Sequence, residues 1–114
     1  MKPQIWHNPR CSKSRQTLEL LKENGVEPEI VLYKDNAPSE ADIRAVLDAL
    51  SKAPIDLIRQ NDDAFKALGL SGADHDTLIK AMAEHPAIIE RPVVRHGEAA
   101  ALGRPPEDVL KLFR

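Results

Sequence analysis

Residues 4–33 read QIWHNPRCSKSRQTLELLKENGVEPEIVLY, and this stretch decides the fold. The short apolar run at 4–6 predicts a strand, which the Asn-Pro pair that follows ends. Residues 12–24 favour a helix with leucines on one side, followed by a glycine placed to end it. The run IVLY at 30–33 predicts a second, buried strand. The connection between the two strands is short and consists of this helix, so we expect the strands to be parallel.

The rest of the chain predicts a helical middle and a hairpin near the end. Ser39 and Asp42 have the spacing of a capping box, and helical patterns follow to residue 84. Extended segments at 92–95 and 99–102 predict a hairpin, and a last helix begins after Pro105. The order β-α-β, helices, β-β-α is that of a thioredoxin-like α/β fold. We predict one domain, residues 1–114, with a helical insert over approximately residues 38–86.

Composition excludes several classes of protein. Charged residues make up 30% of the 114 residues, and 16 Lys and Arg against 18 Asp and Glu give a net charge of -2. We therefore expect no nucleic-acid partner, because such binding needs a basic surface. No apolar run approaches the ~20 residues of a membrane helix, and the first residues lack the apolar segment of a secretory signal. With one cysteine there is no internal disulfide, so we expect a cytoplasmic protein. We also expect a monomer.

The single cysteine lies in a polar and basic stretch, HNPRCSKSR at residues 7–15. Cys11 stands where the first strand has ended and the helix begins, and amides at a helix N-terminus stabilise an anion. A cysteine kept for packing would have apolar neighbours instead. Thiols at helix starts and beside cations become thiolates at neutral pH, and the cations nearby are His7, Arg10, Lys13 and Arg15. The position predicts a reactive thiolate.

His7 allows two further interpretations. A tetrahedral zinc site would need two more ligands, and the other histidines show no ligand spacing with His7 or Cys11. We therefore expect no metal. His7 either orients or electrostatically supports Cys11, or makes an ordinary hydrogen bond at the end of the strand.

Four motifs in the same order resemble the glutaredoxin-dependent arsenate reductases. They are HNPRCSKSR, LIRQN at 57–61, ERPVV at 90–94 and LGRPPE at 102–107, and together they extend over nearly the whole chain. The resemblance implies that Cys11 is the nucleophile, that His7 assists it, and that Arg59, Arg91 and Arg104 bind the oxyanion. It also implies a cis peptide bond before Pro92, which would direct the preceding arginine toward the thiol. Arginine suits a tetrahedral oxyanion because its rigid fork donates two hydrogen bonds.

The implied activity is reduction of arsenate to arsenite, with no bound cofactor and with glutathione as cosubstrate. The implied partners are arsenate, glutathione and glutaredoxin. Two other functions remain open: a glutathione-dependent thiol reductase without arsenate activity, and a redox-linked transcription regulator that binds RNA polymerase. Some regulators of this fold switch through a CxxC disulfide, which cannot form here because the residue three beyond Cys11 is Ser14.

Overall fold

The computed structural model describes residues 2–113, which form a four-stranded sheet with helices on both faces. The strands are β1 (Gln4–Trp6), β2 (Glu29–Val31), β3 (Val93–His96) and β4 (Ala99–Leu102). The α-helices are α1 (Ser12–Glu23), α2 (Glu40–Leu50), α3 (Asp63–Ala67) and α4 (His75–Glu84). Three 3-10 helices are Pro54–Leu57, Pro86–Ile88 and the C-terminal Pro106–Phe113.

The sheet has the strand order β2-β1-β3-β4. β1 pairs in parallel with β2 and antiparallel with β3, and β3 pairs antiparallel with β4. The parallel pairing of the first two strands and the thioredoxin-like order with a helical insert are therefore confirmed. The capping box that begins α2 is also present, because the Ser39 side chain accepts from the Asp42 amide while the Asp42 carboxylate accepts from the Ser39 amide.

Alternating side chains of the central strands form two separate cores. Ile5 lies opposite Val94, and both belong to a core with Leu21 of α1 and Val109 of the C-terminal 3-10 helix. The next pair, Trp6 and Val93, belongs to the larger core formed with the helical insert. The period-two alternation of strands thus places α1 on one face and the insert on the other.

The prediction that residues 30–33 form a buried strand is wrong in part. β2 ends at Val31, and Ile30 and Leu32 are 45% and 37% exposed, whereas Tyr33 is buried in the larger core. β2 lies at the edge of the sheet and pairs with β1 alone. An apolar run predicts burial of both faces, but an edge strand so short leaves part of one face open to solvent.

Candidate active site

Cys11 caps the N-terminus of α1. Its amide donates to the carbonyl of Asn8 at 3.0 Å, and its carbonyl accepts from the Arg15 amide at 3.0 Å. The Cys11 side chain makes no capping hydrogen bond within residues 2–113, and no acidic residue lies in the first turn of the helix. The positive end of the helix dipole therefore has no carboxylate of that turn to neutralise it beside the sulfur. The residue is 9% exposed, so the thiol is nearly covered.

A short hydrogen-bond network fixes the thiol loop, which we define as residues 7–11. The Ser14 hydroxyl lies 2.6 Å from His7 Nδ1 and accepts from the Asn8 amide at 3.0 Å. Both His7 and Ser14 are buried. α1 thereby holds the loop at its first turn through a residue whose side chain faces inward.

His7 does not provide the positive charge expected from the sequence. Burial, followed by the charges of Lys22 and Arg15, lowers the pKa of His7 from its usual 6.5, so the imidazole is neutral at neutral pH. Its hydrogen bond goes to Ser14, and no hydrogen bond to Cys11 is present among the described residues. His7 therefore lies in the network that positions the thiol loop, whereas Arg10, Lys13 and Arg15 are exposed cations around it.

The three predicted arginines come from three distant segments that the fold brings together. Arg59 follows the first 3-10 helix, Arg91 precedes β3 and Arg104 follows β4. Backbone hydrogen bonds from the Arg59 amide to Ile88, 2.8 Å, and from the Glu90 amide to Leu57, 2.7 Å, join the first two segments. The peptide bonds Arg91-Pro92 and Arg104-Pro105 are both cis.

The carboxylate of Glu90 lies among all three arginines. Its Oε1 is 4.0 Å from Arg59 Nε and 3.9 Å from Arg91 Nη1, and its Oε2 is 3.8 Å from Arg104 Nε. Arg59 has a closer partner in Asp62, with Nη1 to Oδ2 at 2.8 Å. We call these five residues the arginine pocket, and they line an open cleft of about 720 Å³.

Arg104 connects the arginine pocket to the thiol. Its Nε donates to the Arg91 carbonyl at 2.8 Å, and its Nη2 lies 4.0 Å from Cys11 Sγ. The Nε of Arg91 is buried and has no hydrogen-bond partner within residues 2–113. A buried donor without a partner costs free energy, so this N–H favours a ligand that accepts from it.

The residue before Arg104 must be glycine because its backbone passes close to two side chains. A Cβ on Gly103 would overlap Thr17 Oγ1 of α1 and would lie 2.7 Å from Pro92 Cγ. The Gly103 amide also donates to the Pro92 carbonyl at 3.0 Å. This close approach holds the segment that carries Arg104 against the helix that carries the thiol.

Tyr33 is a buried hydroxyl group beside the site. Burial raises the pKa of Tyr33 to about 12, a net value in which the charges of Cys11 and Glu90 act in the same direction as burial and Arg59 and a hydrogen bond with Asn8 act against it. The phenol is therefore neutral at all physiological pH values. Its pKa responds to charges of both the thiol loop and the arginine pocket, and the neutral phenol adds no charge to the site.

Sequence reasoning missed the roles of four residues in this arrangement: Ser14, Tyr33, Asp62 and Glu90. Glu90 had a detectable signal, because it precedes Arg91 in a motif already singled out. The other three had none, since a serine in a helix, a tyrosine in an apolar run and an aspartate before a helix all have ordinary structural explanations.

The described residues contain neither a candidate metal site nor a candidate membrane-spanning helix. No group of three or more His, Cys, Asp or Glu side chains could hold a metal ion within residues 2–113. In the same part of the chain, every helix is too short or too polar to cross a membrane.

Comparisons with known proteins identify the family. The ArsC family model matches residues 6–112. The chain is 49% identical to the protein of Escherichia coli K12 named uncharacterized protein YfgD, over 95% of this chain and 93% of that protein. It is 44% identical to an arsenate reductase of Neisseria meningitidis serogroup A, over 92% of both chains.

The fold agrees with that assignment. The structure of an arsenate reductase from Vibrio cholerae superimposes with a TM-score of 0.93 and 39% sequence identity, covering 98% of both chains. The matched region contains Cys11 and the three arginines of the pocket. This chain therefore belongs to the ArsC family.

Proposed function

We propose that this protein is an arsenate reductase in which Cys11 is the nucleophile and glutathione and glutaredoxin supply the electrons. One observation carries the proposal. Three arginines from distant segments surround one cleft, and one of them, Arg104, reaches to 4.0 Å from Cys11 Sγ. Arsenate reductases among the relatives, from two Neisseria meningitidis serogroups and from Haemophilus influenzae, support the choice of oxyanion.

The arginines offset the repulsion between the two anions that the reaction brings together. A thiolate and an oxyanion repel each other by about 4 kcal/mol for each pair of unit charges at 4 Å and an effective dielectric of 20. Fixed guanidinium groups offset that repulsion and orient the anion through forked hydrogen bonds. Two nitrogens are suited to bind the anion: Arg91 Nε, which has no hydrogen-bond partner among the described residues, and Arg104 Nη2, which lies close to the Cys11 sulfur.

The first chemical step is displacement at arsenic. The Cys11 thiolate forms a sulfur–arsenic bond, and one arsenic–oxygen bond breaks. The departing oxygen carries one proton and takes a second from another hydroxyl group of arsenate or from solvent, so it leaves as water. Arsenic stays pentavalent in this step. His7, held by Ser14, keeps the thiol loop in place rather than contributing charge.

The second step is the reduction, and it needs an external thiol. Glutathione attacks the Cys11 sulfur, the sulfur–arsenic bond breaks, and its electron pair stays on arsenic, which leaves as trivalent arsenite. Cys11 is then in a mixed disulfide with glutathione. Because the chain has one cysteine, no internal thiol can resolve that disulfide. Glutaredoxin resolves it by thiol–disulfide exchange and restores the thiol.

The alternatives explain less of the site. A regulator that switches through a CxxC disulfide would need a second thiol at position 14, where a buried serine holds the thiol loop. A glutathione-dependent thiol reductase needs the thiol but has no use for three arginines around one open cleft. An assay that follows arsenite production and disulfide reduction in parallel separates these functions.

The test is arsenite production by the purified protein, with each component omitted in turn. We expect repeated turnover to arsenite only when arsenate, glutathione and glutaredoxin are all present, no more than one arsenite per protein when glutaredoxin is omitted, and none with the Cys11→Ser protein. Reduction of a small disulfide such as hydroxyethyl disulfide is measured in parallel. Glutathione-dependent disulfide reduction without any arsenite would contradict the proposal and favour the thiol reductase.

A further inference from the structure

Glu90 is an anion inside a pocket proposed to bind anions. Its carboxylate lies 3.8–4.0 Å from a nitrogen of each of the three arginines, a distance at which charges interact but no strong hydrogen bond forms. The Arg104 Nε that faces it already donates to the Arg91 carbonyl. The side chain of Glu90 is 26% exposed, so water screens it only in part.

The charges of the arginine pocket almost cancel. Three guanidinium groups face two carboxylates, those of Glu90 and Asp62, which leaves one net positive charge. Asp63 also lines the cleft, but it is exposed and forms no ion pair with these arginines among the described residues. A thiolate at Cys11 would offset that remaining charge, leaving only the exposed cations Arg10, Lys13 and Arg15 around the thiol loop. Such a pocket is matched to a ligand of low charge.

We infer that Glu90 determines the charge of the oxyanion that this site accepts, favouring a singly charged tetrahedral anion over a doubly charged one. This inference rests on the proposed anion site. The Coulomb energy between Glu90 and a bound anion is proportional to the charge of that anion, so the carboxylate opposes a dianion twice as strongly as a monoanion.

The preference fits the chemistry of the displacement. Arsenate is present near neutral pH as a monoanion with two hydroxyl groups and as a dianion with one. When the thiolate attacks the monoanion, one hydroxyl group departs and takes the proton of the other, so water leaves without a proton from elsewhere. The doubly charged form has only the proton that departs with the leaving oxygen. Glu90 therefore selects the form that already carries both protons.

Two inorganic anions of fixed charge test this directly. Sulfate is a tetrahedral dianion and perchlorate a tetrahedral monoanion throughout the neutral pH range. Their binding to the intact protein is followed by NMR of the arginine Nε–Hε groups at constant ionic strength. In Glu90→Gln we expect sulfate affinity to rise about tenfold and perchlorate affinity about threefold, since the second factor is the square root of the first.

Two control variants show whether the effect comes from a carboxylate in the arginine pocket or from any change in the net charge of the protein. Glu98→Gln removes the same charge from the exposed β3–β4 turn and should leave both affinities unchanged. Asp62→Asn keeps a residue able to cap α3, whose Ala64 amide bonds to Asp62 Oδ1, while removing the other pocket carboxylate. It should shift the two affinities in the same direction as Glu90→Gln, and Glu90→Ala tests the Glu90 charge itself if Glu90→Gln does not fold.

Two results would overturn the inference. Equal changes for sulfate and perchlorate, or weaker binding of both, would show that Glu90 acts only as a support for the arginines. If arsenate turnover is normal at the same time, the proposed function stands without this role for Glu90. Binding of neither anion to the wild-type protein would overturn both the role of Glu90 and the proposed anion site.

Discussion

The thiol loop and the arginine pocket, which meet at Cys11, differ in how far their polar groups are already paired. In the loop, Ser14 Oγ lies 2.6 Å from His7 Nδ1 and 3.0 Å from the Asn8 amide, both at hydrogen-bond distance. The pocket also has two short contacts, Arg59 Nη1 to Asp62 Oδ2 and Arg104 Nε to the Arg91 carbonyl, both 2.8 Å. Its central carboxylate, that of Glu90, however lies 3.8 Å or more from each arginine. The loop is therefore fixed before any ligand arrives, whereas the arginines keep donors free for one. A nucleophile gains from a fixed position, and an anion site gains from donors that no protein group has already used.

Removing the thiol should have the largest effect. Cys11→Ser keeps the size of the side chain and the backbone bonds of the loop, but a hydroxyl group is a far weaker nucleophile at neutral pH. We expect arsenite production to fall to the rate without protein, with the unfolding temperature unchanged. Retained turnover in this variant would mean that the arginine pocket alone carries the reaction.

Truncating one arginine should have the next largest effect. Arg91→Ala removes a charge-assisted contact worth on the order of 1.5–3 kcal/mol, which corresponds to a roughly ten- to hundredfold loss of kcat/KM for arsenate. Arg91→Lys should recover only part of it, because lysine lacks the fork. The control is Arg44→Ala, which breaks an exposed ion pair with Asp76 and should leave turnover unchanged. Equal losses in both variants would remove the distinction between pocket and surface.

The contact that joins the two regions can be broken at Gly103. Gly103→Ala places a Cβ within 3.0 Å of Thr17 and Pro92, so we expect a loss of about 1–3 kcal/mol in the free energy of unfolding. Turnover should also fall, because the backbone that carries Arg104 must move away from Cys11. Gly72→Ala is the matched control: its φ of 79° is unfavourable for alanine, but no atom lies within 4 Å of the added Cβ. It should lower stability and leave turnover per folded molecule unchanged.

The smallest expected effect concerns the pH dependence of stability from His7. Its pKa is lower in the folded protein than the unfolded value of 6.5, so the folded state binds fewer protons. Its contribution to stability is complete above pH 6.5 and is lost as pH falls through the lowered folded pKa. Urea unfolding from pH 8 to pH 5 should show this decline in wild type and less of it in His7→Asn. An identical decline in both proteins would mean that burial of His7 does not affect its protonation.

The part of the fold that follows from local pattern was predicted correctly. The parallel β1 and β2, the capping box of α2 and the hairpin of β3 and β4 depend on residues near one another in the chain. The exposure of Ile30 was not predictable in the same way. It depends on β2 lying at the edge of the sheet, which a single apolar run does not specify.

In the site, too, features that depend on local sequence were predictable and features that depend on distant segments were not. The position of Cys11 at the start of a helix follows from the strand and helix patterns on either side of it. The role of Glu90 depends on its distances to arginines of three chain segments. These distances are set by the tertiary fold and cannot be read from the local sequence. Of the interpretations left open for His7, the structure favours the hydrogen bond over the charge, because in the folded chain the imidazole is buried beside Ser14 and its pKa is lowered.

The most direct test of the account is the covalent state of Cys11 during the reaction. Protein incubated with arsenate and glutathione, without glutaredoxin, is quenched with acid and its intact mass is measured. We predict one glutathione on Cys11, formed only when arsenate is present, reduced in Arg91→Ala and absent in Cys11→Ser. A glutathione adduct that forms equally well without arsenate, or arsenite production with no adduct, would contradict the claim that Cys11 attacks an oxyanion held by the arginine pocket.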